Sequence, residues 1–510
     1  MASFLIISDM FTDDAVNAFS IPTQWRKCQT AQNSRSCQTR PVHSADVEVQ
    51  TASCAQNSTQ TIPQDQVTEH LCQQNCTESV PPGLLEFLLG VEDFVVEELN
   101  KNFQSHAFDG FQANWEDPSV LVSCFHCLQH PSAQEKGLHV TSVCWSSTGS
   151  MVVCGYGRVD DGDWITERSC VCMWNVDRGS LCDNKPDLVI NVPTPVTALC
   201  CHPNQPALFA GGLYSGEVVI WDISQTPDPE LAHTVMSSDS HREPVNEVAW
   251  VPLQKKGEFG VLSACSGGRV LVWTVGSDPG TLVLNAAYAF IQQQVPHSSS
   301  SHFKASGSVG VTALALSPWD PDTFLVGSED GLLLKCSFSS QTPAAVPADG
   351  AGVASRAPAV FSFTPRSGPV YSVHCSPFHR NLFVSAGTEG SAHIYSLLQA
   401  NPLLSLRVSD SYLFQAQWSP TRPLVFAAAT GQGEVHIFDL GHRSPRPAAT
   451  IAGVPGRAAT CLAFSRGNPH LLAVGKADGT VGIWKLSDDL TEQSPREISL
   501  LDHIAGQVAE

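Results

Sequence analysis

Seven segments of this chain open on the same short phrase, and that repetition constrains the fold more than any other feature. They read "VTSVCWSSTG", "VTALCCHPNQ", "VNEVAWVP", "VTALALSPWD", "VYSVHCSPFH", "LFQAQWSPTR" and "TCLAFSRGN". Each alternates apolar and polar residues, the period of a strand with one buried face. Most continue into a small-residue strand, a Gly turn and a further alternating strand, as in "PALFAGGLYSGEVVIWD" and "HLLAVGKADGTVGIW". The third strands end on Trp174, Trp221, Trp273, Cys336, Tyr395, Phe438 and Trp484, spaced by 47, 52, 63, 59, 43 and 46 residues.

A unit of about 40 to 45 residues with four strands is a WD-repeat propeller blade, so the sequence predicts an all-β, seven-bladed WD-repeat β-propeller over residues 137–488. The longer gaps hold the loops "PHSSSSHFKASGS" and "SSQTPAAVPADGAGVASRAP". Asp330-Gly331, Glu389-Gly390 and Asp478-Gly479 suit tight hairpins because Gly accepts positive φ without strain. Too little alternating sequence follows Trp484 to complete the seventh blade. The run "SVLVSCFHCL", Ser119 to Leu128, is expected to supply the missing outer strand from the linker at 104–136 and so cover an edge that would otherwise be open. Residues 489–510 read as a C-terminal tail.

The N-terminal part has a different character. Residues 1–82 are rich in Gln, Ser, Thr, Asn and Asp with few clustered apolar groups, so they cannot bury enough surface to offset their ordering entropy and are predicted to be disordered. Over 83–103 a short amphipathic helix is predicted. Leu84, Leu88, Val91, Val95 and Leu99 recur at helical steps, after the start signal Pro81, Pro82 and Gly83. Further apolar residues at Leu85, Phe87, Leu89, Phe94 and Val96 widen the stripe, so the helix needs cover on more than one side. That cover is either the chain's own next domain or a partner; its place beside a polar arm favours the partner.

Composition excludes several classes. With 28 Lys and Arg against 49 Asp and Glu the formal charge is -21, which repels phosphate backbones, so nucleic acid is not an expected partner. "MASFLIISDMFTDD" lacks the leading basic cluster and long apolar run of a signal peptide, and no run reaches the roughly 18 apolar residues of a membrane helix; membrane insertion and secretion are not expected. The 18 Cys then read as reduced, most of them lying in apolar strands such as "CVCMW". "CFHC" and "CQQNC" lack a second ligand pair at zinc-finger distance, so no metal site is assigned to them. Asn57 and Asn75 match the N-glycosylation pattern without a secretory context.

No phosphate-binding loop, HExxH or GxSxG motif occurs, and the 18 His are scattered. Acids such as Asp222, Asp439 and Asp478 fall at strand ends and turns, where they cap backbone groups. No catalytic residue and no cofactor is expected, which leaves a scaffold; a generic WD-repeat adaptor, such as a ubiquitin-ligase substrate receptor, is the alternative reading.

Three phrases in the propeller, "AGGLYSGEVVIWD", "SPFHRNLFVSAGTEG" and "WSPTRPLVFAAATGQGEV", resemble dynein intermediate chains. Together with "LNKNFQSHAFDGFQANW" and "GLHVTSVCWSSTGS" they make the chain from about Leu84 onward similar to the WD-repeat intermediate chains of cytoplasmic dynein 2. The resemblance implies a non-enzymatic subunit supporting retrograde intraflagellar transport and cilium assembly. It places the chain in the cytoplasm and in the cilium, at the axoneme and basal body, and at the centrosome. Its implied partners are the dynein 2 heavy chain, gripped by the propeller, a second and different intermediate chain, and light chains of the hub, roadblock and Tctex types.

That resemblance gives meaning to a pair repeated four times in the arm: Gln29-Thr30, Gln38-Thr39, Gln50-Thr51 and Gln60-Thr61. Hub-type light chains bind extended peptides ending in a Thr-Gln-Thr-like anchor, added as a strand to their sheet edge. Thr59, Gln60 and Thr61 match it in full; Cys28, Cys37 and Val49 replace the first Thr elsewhere. The motifs then form a rack for light-chain dimers, with chance recurrence in a Gln/Ser/Thr-rich stretch as the other reading. The helix at Leu84 to Leu99 resembles the segment that binds a roadblock-type light chain.

Overall fold

A computed structural model describes residues 84–104, 121–158, 169–179, 181–225, 227–237, 239–253, 257–296, 307–345, 353–442, 444–454 and 456–507. The chain divides into two compact units, Met1–Ser105 and His106–Glu510. In the first, the described residues form one helix, Leu84–Gln104.

The second unit is built of strands. Five sheets have four strands each, and a sixth, of nine, consists of two such four-stranded groups joined by a parallel pairing of Gly280–Ala289 with Glu230–Thr234, plus the short strand Ser355–Arg356. The first strands of the seven groups are His139–Trp145, Val196–Cys201, Val245–Pro252, Val311–Leu316, Val370–Cys375, Leu413–Trp418 and Ala459–Phe464. Each lies against the first strand of the next group, and the last lies against the first, which closes a propeller ring. All seven anchors from Trp174 to Trp484 sit on third strands.

Two recurrent features explain why these short phrases set the blades so close together. The residue after the opening Val in the first three blades, and after Ala459 in the seventh, reaches across to the next blade: Thr141 Oγ1 donates to the Val196 carbonyl (2.6 Å), Thr197 to that of Val245, Asn246 Nδ2 to that of Val311 (2.7 Å), and Thr460 Oγ1 to that of Val140 (2.5 Å). Each satisfies a carbonyl in an inter-blade seam that water enters poorly. The second strands then carry Gly where the next blade's Val presses in: a Cβ on Gly327 would stand 2.5 Å from Val370 Cγ1, and one on Gly475 the same distance from Val140 Cγ1. The hairpin glycines Gly331, Gly390 and Gly479 adopt φ of 82, 71 and 79°.

Ring closure uses a strand from the N-terminal side. Val122–Leu128 pairs antiparallel with Val481–Leu486, from Val122 opposite Leu486 to Leu128 opposite Val481, with a bulge between Cys124 and His126. Leu128 is fully buried beside Val140, Tyr156, Val481 and Ile483. "CFHC" is thus part of an outer strand, with Cys124 and Cys127 exposed.

Beyond Trp484 the structure departs from the tail expected over 489–510. Asp488–Thr491 and Glu497–Ala505 are helices, and Leu501 and Ala505 pack with Phe426, Phe438 and Leu440 under the fifth and sixth blades. Arg422 holds this end in place: its guanidinium bonds Asp439 Oδ2 at 2.7 Å and Glu497 Oε1 at 2.8 Å, and also the Asp489 carbonyl. Both acids are buried, so each charge needs this partner.

Candidate functional site

The residues proposed to bind a roadblock-type light chain all lie on the helix Leu84–Gln104. At about 100° per residue, Leu88, Val91, Val95 and Leu99 form one stripe. Leu88, Val95 and Leu99 are 51, 45 and 60% exposed, and Val91 is half-buried. Leu89 and Val96 flank the stripe on one side, Phe87 and Phe94 on the other, all exposed. The apolar arc exceeds half the circumference, with the exposed Glu92 and Glu98 interrupting it. Glu86, Asp93, Glu97 and Lys101 occupy the remaining face, where the Lys101 ammonium bridges Glu97 (3.0 Å) and Glu98 (2.7 Å). Such a helix fits a groove with two walls better than a flat surface. Gln29, Thr30, Gln38, Thr39, Gln50, Thr51, Thr59, Gln60 and Thr61, with the whole arm 1–82, lie outside the described residues.

On the propeller, an open groove of about 1570 Å³ lies under the second to fourth blades, lined by His202, Trp250, Phe259, Asp322, Tyr288 and Phe338 among others. His202 and Asp322 are already committed to structure. His202 Nδ1 accepts from the Asn204 and Gln205 backbone N–H groups, its ring packs edge-on against Trp250 and Phe259, and burial lowers its pKa. Asp322 accepts from Ser337 and Ser339. A second exposed feature is aromatic. Tyr371 and Phe414 take the positions that Thr141 and Thr197 hold in other blades, and their rings stack 5.8 Å apart.

One pair has the composition of a nucleophile and its base. His241 Nε2 lies 2.7 Å from Ser263 Oγ. Trp273 Nε1 donates to the same oxygen at 2.8 Å, both His241 and Ser263 are buried, and desolvation, aided by the Arg269 charge, pushes the His241 pKa down to about 3. No substrate can reach this hydroxyl, so the chain of bonds fastens a loop to the second and third strands of its blade. The fifth blade repeats the arrangement with Arg366, whose Nη1 donates to Ser385 Oγ at 2.7 Å, with Tyr395 in place of Trp273. The sequence carries the signal for both: four residues separate His241 from Val245 and Arg366 from Val370, and ten separate Ser263 from Trp273 and Ser385 from Tyr395.

Fold and surfaces together define a WD-repeat propeller scaffold, preceded by an exposed amphipathic helix, with its buried Ser–His contact serving structure. A family model described as the dynein axonemal intermediate chain 3 WD40 domain matches residues 314–486, and one for the WD domain, G-beta repeat matches 123–164. The chain is 45% identical to cytoplasmic dynein 2 intermediate chain 2 of Mus musculus, across 97% of this chain and 92% of that protein. Against the Homo sapiens protein of the same name it is 46% identical, across 98 and 92%. Dynein intermediate chain 3, ciliary, of Heliocidaris crassispina is 25% identical over 64% of this chain and half of its own length. The chain belongs to the dynein intermediate chain family, whose members are non-catalytic structural subunits.

Proposed function

We propose that this protein is an intermediate chain of a cytoplasmic dynein 2 motor. Its propeller binds the heavy chain, its N-terminal region binds light chains, and a second, different intermediate chain is held beside it. In this role it works in the cytoplasm and cilium, including the axoneme, basal body and centrosome, in retrograde intraflagellar transport and cilium assembly. The observation that carries the reading is 45 to 46% identity sustained over nearly the whole chain to proteins named for that motor. The exposed stripe of Leu88, Val95 and Leu99 supports a contact with a roadblock-type light chain at the helix. Gln29-Thr30, Gln38-Thr39, Gln50-Thr51 and the full anchor Thr59-Gln60-Thr61 are the proposed hub-type sites.

The helix is tested by replacing Leu88 and Val95 with Asp. Burying two unpaired carboxylates in an apolar groove costs several kcal/mol, on the order of a thousandfold or more in affinity. Binding of a purified roadblock-type light chain should be lost while the thermal unfolding of the propeller is unchanged, because both positions are solvent-exposed in the chain itself. Unchanged light-chain binding would move the contact elsewhere.

A further inference from the structure

Cys170 and Cys172 lie two residues apart on the strand Ser169–Asn175, so the pleat turns both thiols to one face. Their Sγ atoms are 3.8 Å apart. His130, the residue before the short helix Pro131–Glu135, completes the group: one ligand atom from each of the three residues lies within 4.8 Å of the others. Tetrahedral zinc with Zn–S bonds of about 2.3 Å needs a sulfur–sulfur edge of about 3.8 Å, so the two thiols already have the separation that coordination requires.

Burial separates this group from ordinary core cysteines. Cys170 and Cys172 are buried, but the third member is a polar ring that is half-buried. Its ring meets Tyr156 edge-on at 6.3 Å, and its nitrogens make no hydrogen bond among the described residues. Two thiols alone would be apolar filling. An imidazole converging on them supplies the donor that filling does not need, and its partial exposure gives an ion a way in.

We propose that His130, Cys170 and Cys172 form a zinc site with two thiolates, one imidazole and a fourth position open to water. Each thiol releases its proton to solvent as its sulfur takes the metal, so two thiolate charges balance the ion and uptake liberates two protons. The site joins elements distant in sequence. His130 follows the closing strand Val122–Leu128, while Cys170 and Cys172 belong to the first blade, so the ion would bind the ring's closing segment to its starting blade. "CFHC" is not involved: Cys124 and Cys127 are exposed on the outer strand, where His126 pairs with Asp183 at 3.2 Å.

The test uses the full chain, stripped with a chelator and titrated with zinc, with bound metal counted by mass spectrometry. Cobalt substitution reads sulfur ligation through its sulfur-to-metal charge-transfer absorption. The expected result is one equivalent bound, with thiolate absorption and a raised melting temperature. Loss of a mere supporting partner of a metal ligand weakens affinity about 10- to 100-fold, so His130→Ala and Cys170→Ser should each weaken it at least tenfold and abolish the thermal gain. A Cys124→Ser, Cys127→Ser double variant should bind as the wild type does. Should Cys170→Ser fail to fold, the half-buried His130 decides the matter through His130→Ala. Absence of thiolate-ligated metal in the wild type, or wild-type affinity in His130→Ala, would overturn the proposal.

Discussion

If the strand Val122–Leu128 closes the propeller, its single buried leucine should matter far more than its exposed phenylalanine. Leu128 is 0% exposed and contacts the core shared by the first and seventh blades, whereas Phe125, at the bulge of the same strand, is 49% exposed. Truncating a fully buried Leu to Ala removes transfer energy and leaves a cavity, together about 2–5 kcal/mol. An exposed side chain contributes within about 0.5 kcal/mol. At about 2.1 cal/mol/K per residue over roughly 390 residues, the unfolding entropy is about 0.8 kcal/mol/K, so Leu128→Ala should lower Tm by about 2.5–6 °C and Phe125→Ala by under about 1 °C. Differential scanning calorimetry of the full chain measures both. Equal, small shifts would mean that the ring does not depend on this strand.

Two further predictions concern pH and the N-terminal motifs. Burial depresses the folded pKa of His241 to about 3 and of His374 and His393 to about 4, each with a nearby Arg adding to the effect. The unfolded chain then binds protons that the folded one does not, so this stability is complete above about pH 6.5 and declines as pH falls, by up to about 1.4 kcal/mol per pH unit for each histidine. Because burial pushes Glu247 up to about 8, which acts in the opposite sense, the informative quantity is a difference: the Tm gap between wild type and His241→Gln should narrow from pH 7.5 to 4.5, and a constant gap would contradict the linkage. Among four synthetic peptides carrying one Gln-Thr pair each, the one containing Thr59-Gln60-Thr61 should bind a hub light chain most tightly by calorimetry and lose most on changing Gln60 and Thr61 to Ala; four equal affinities would remove that ranking.

The propeller was legible because its phrases encode contacts locally. Val followed by Thr opens a strand and also supplies the inter-blade bond, and Trp174, Trp221 and Tyr395 mark third strands by their bulk. What sequence reading missed depends on distance along the chain. The helix Glu497–Ala505 offers Leu501, Ala505 and part of Ile504 to the core, a short signal, and it is held by Arg422, 75 residues away from Glu497. His241 and Ser263 are separated by 22 residues and are legible only through their fixed spacing to Val245 and Trp273, whereas Cys170 and Cys172 lie 40 or more residues from His130, and no window of sequence brings these three together. The helix Leu84–Gln104 was readable for the opposite reason: its stripe is contiguous and lies open.

Affinity purification of the full chain, with identification of the proteins that remain bound through stringent washing, tests the proposed role most directly. A dynein heavy chain of the cytoplasmic dynein 2 class should be recovered, with a second, different intermediate chain and light chains of the hub and roadblock types. Leu88→Asp with Val95→Asp should remove the roadblock-type chain and leave the heavy chain. Recovery of ubiquitin-ligase subunits in place of dynein chains would contradict the account.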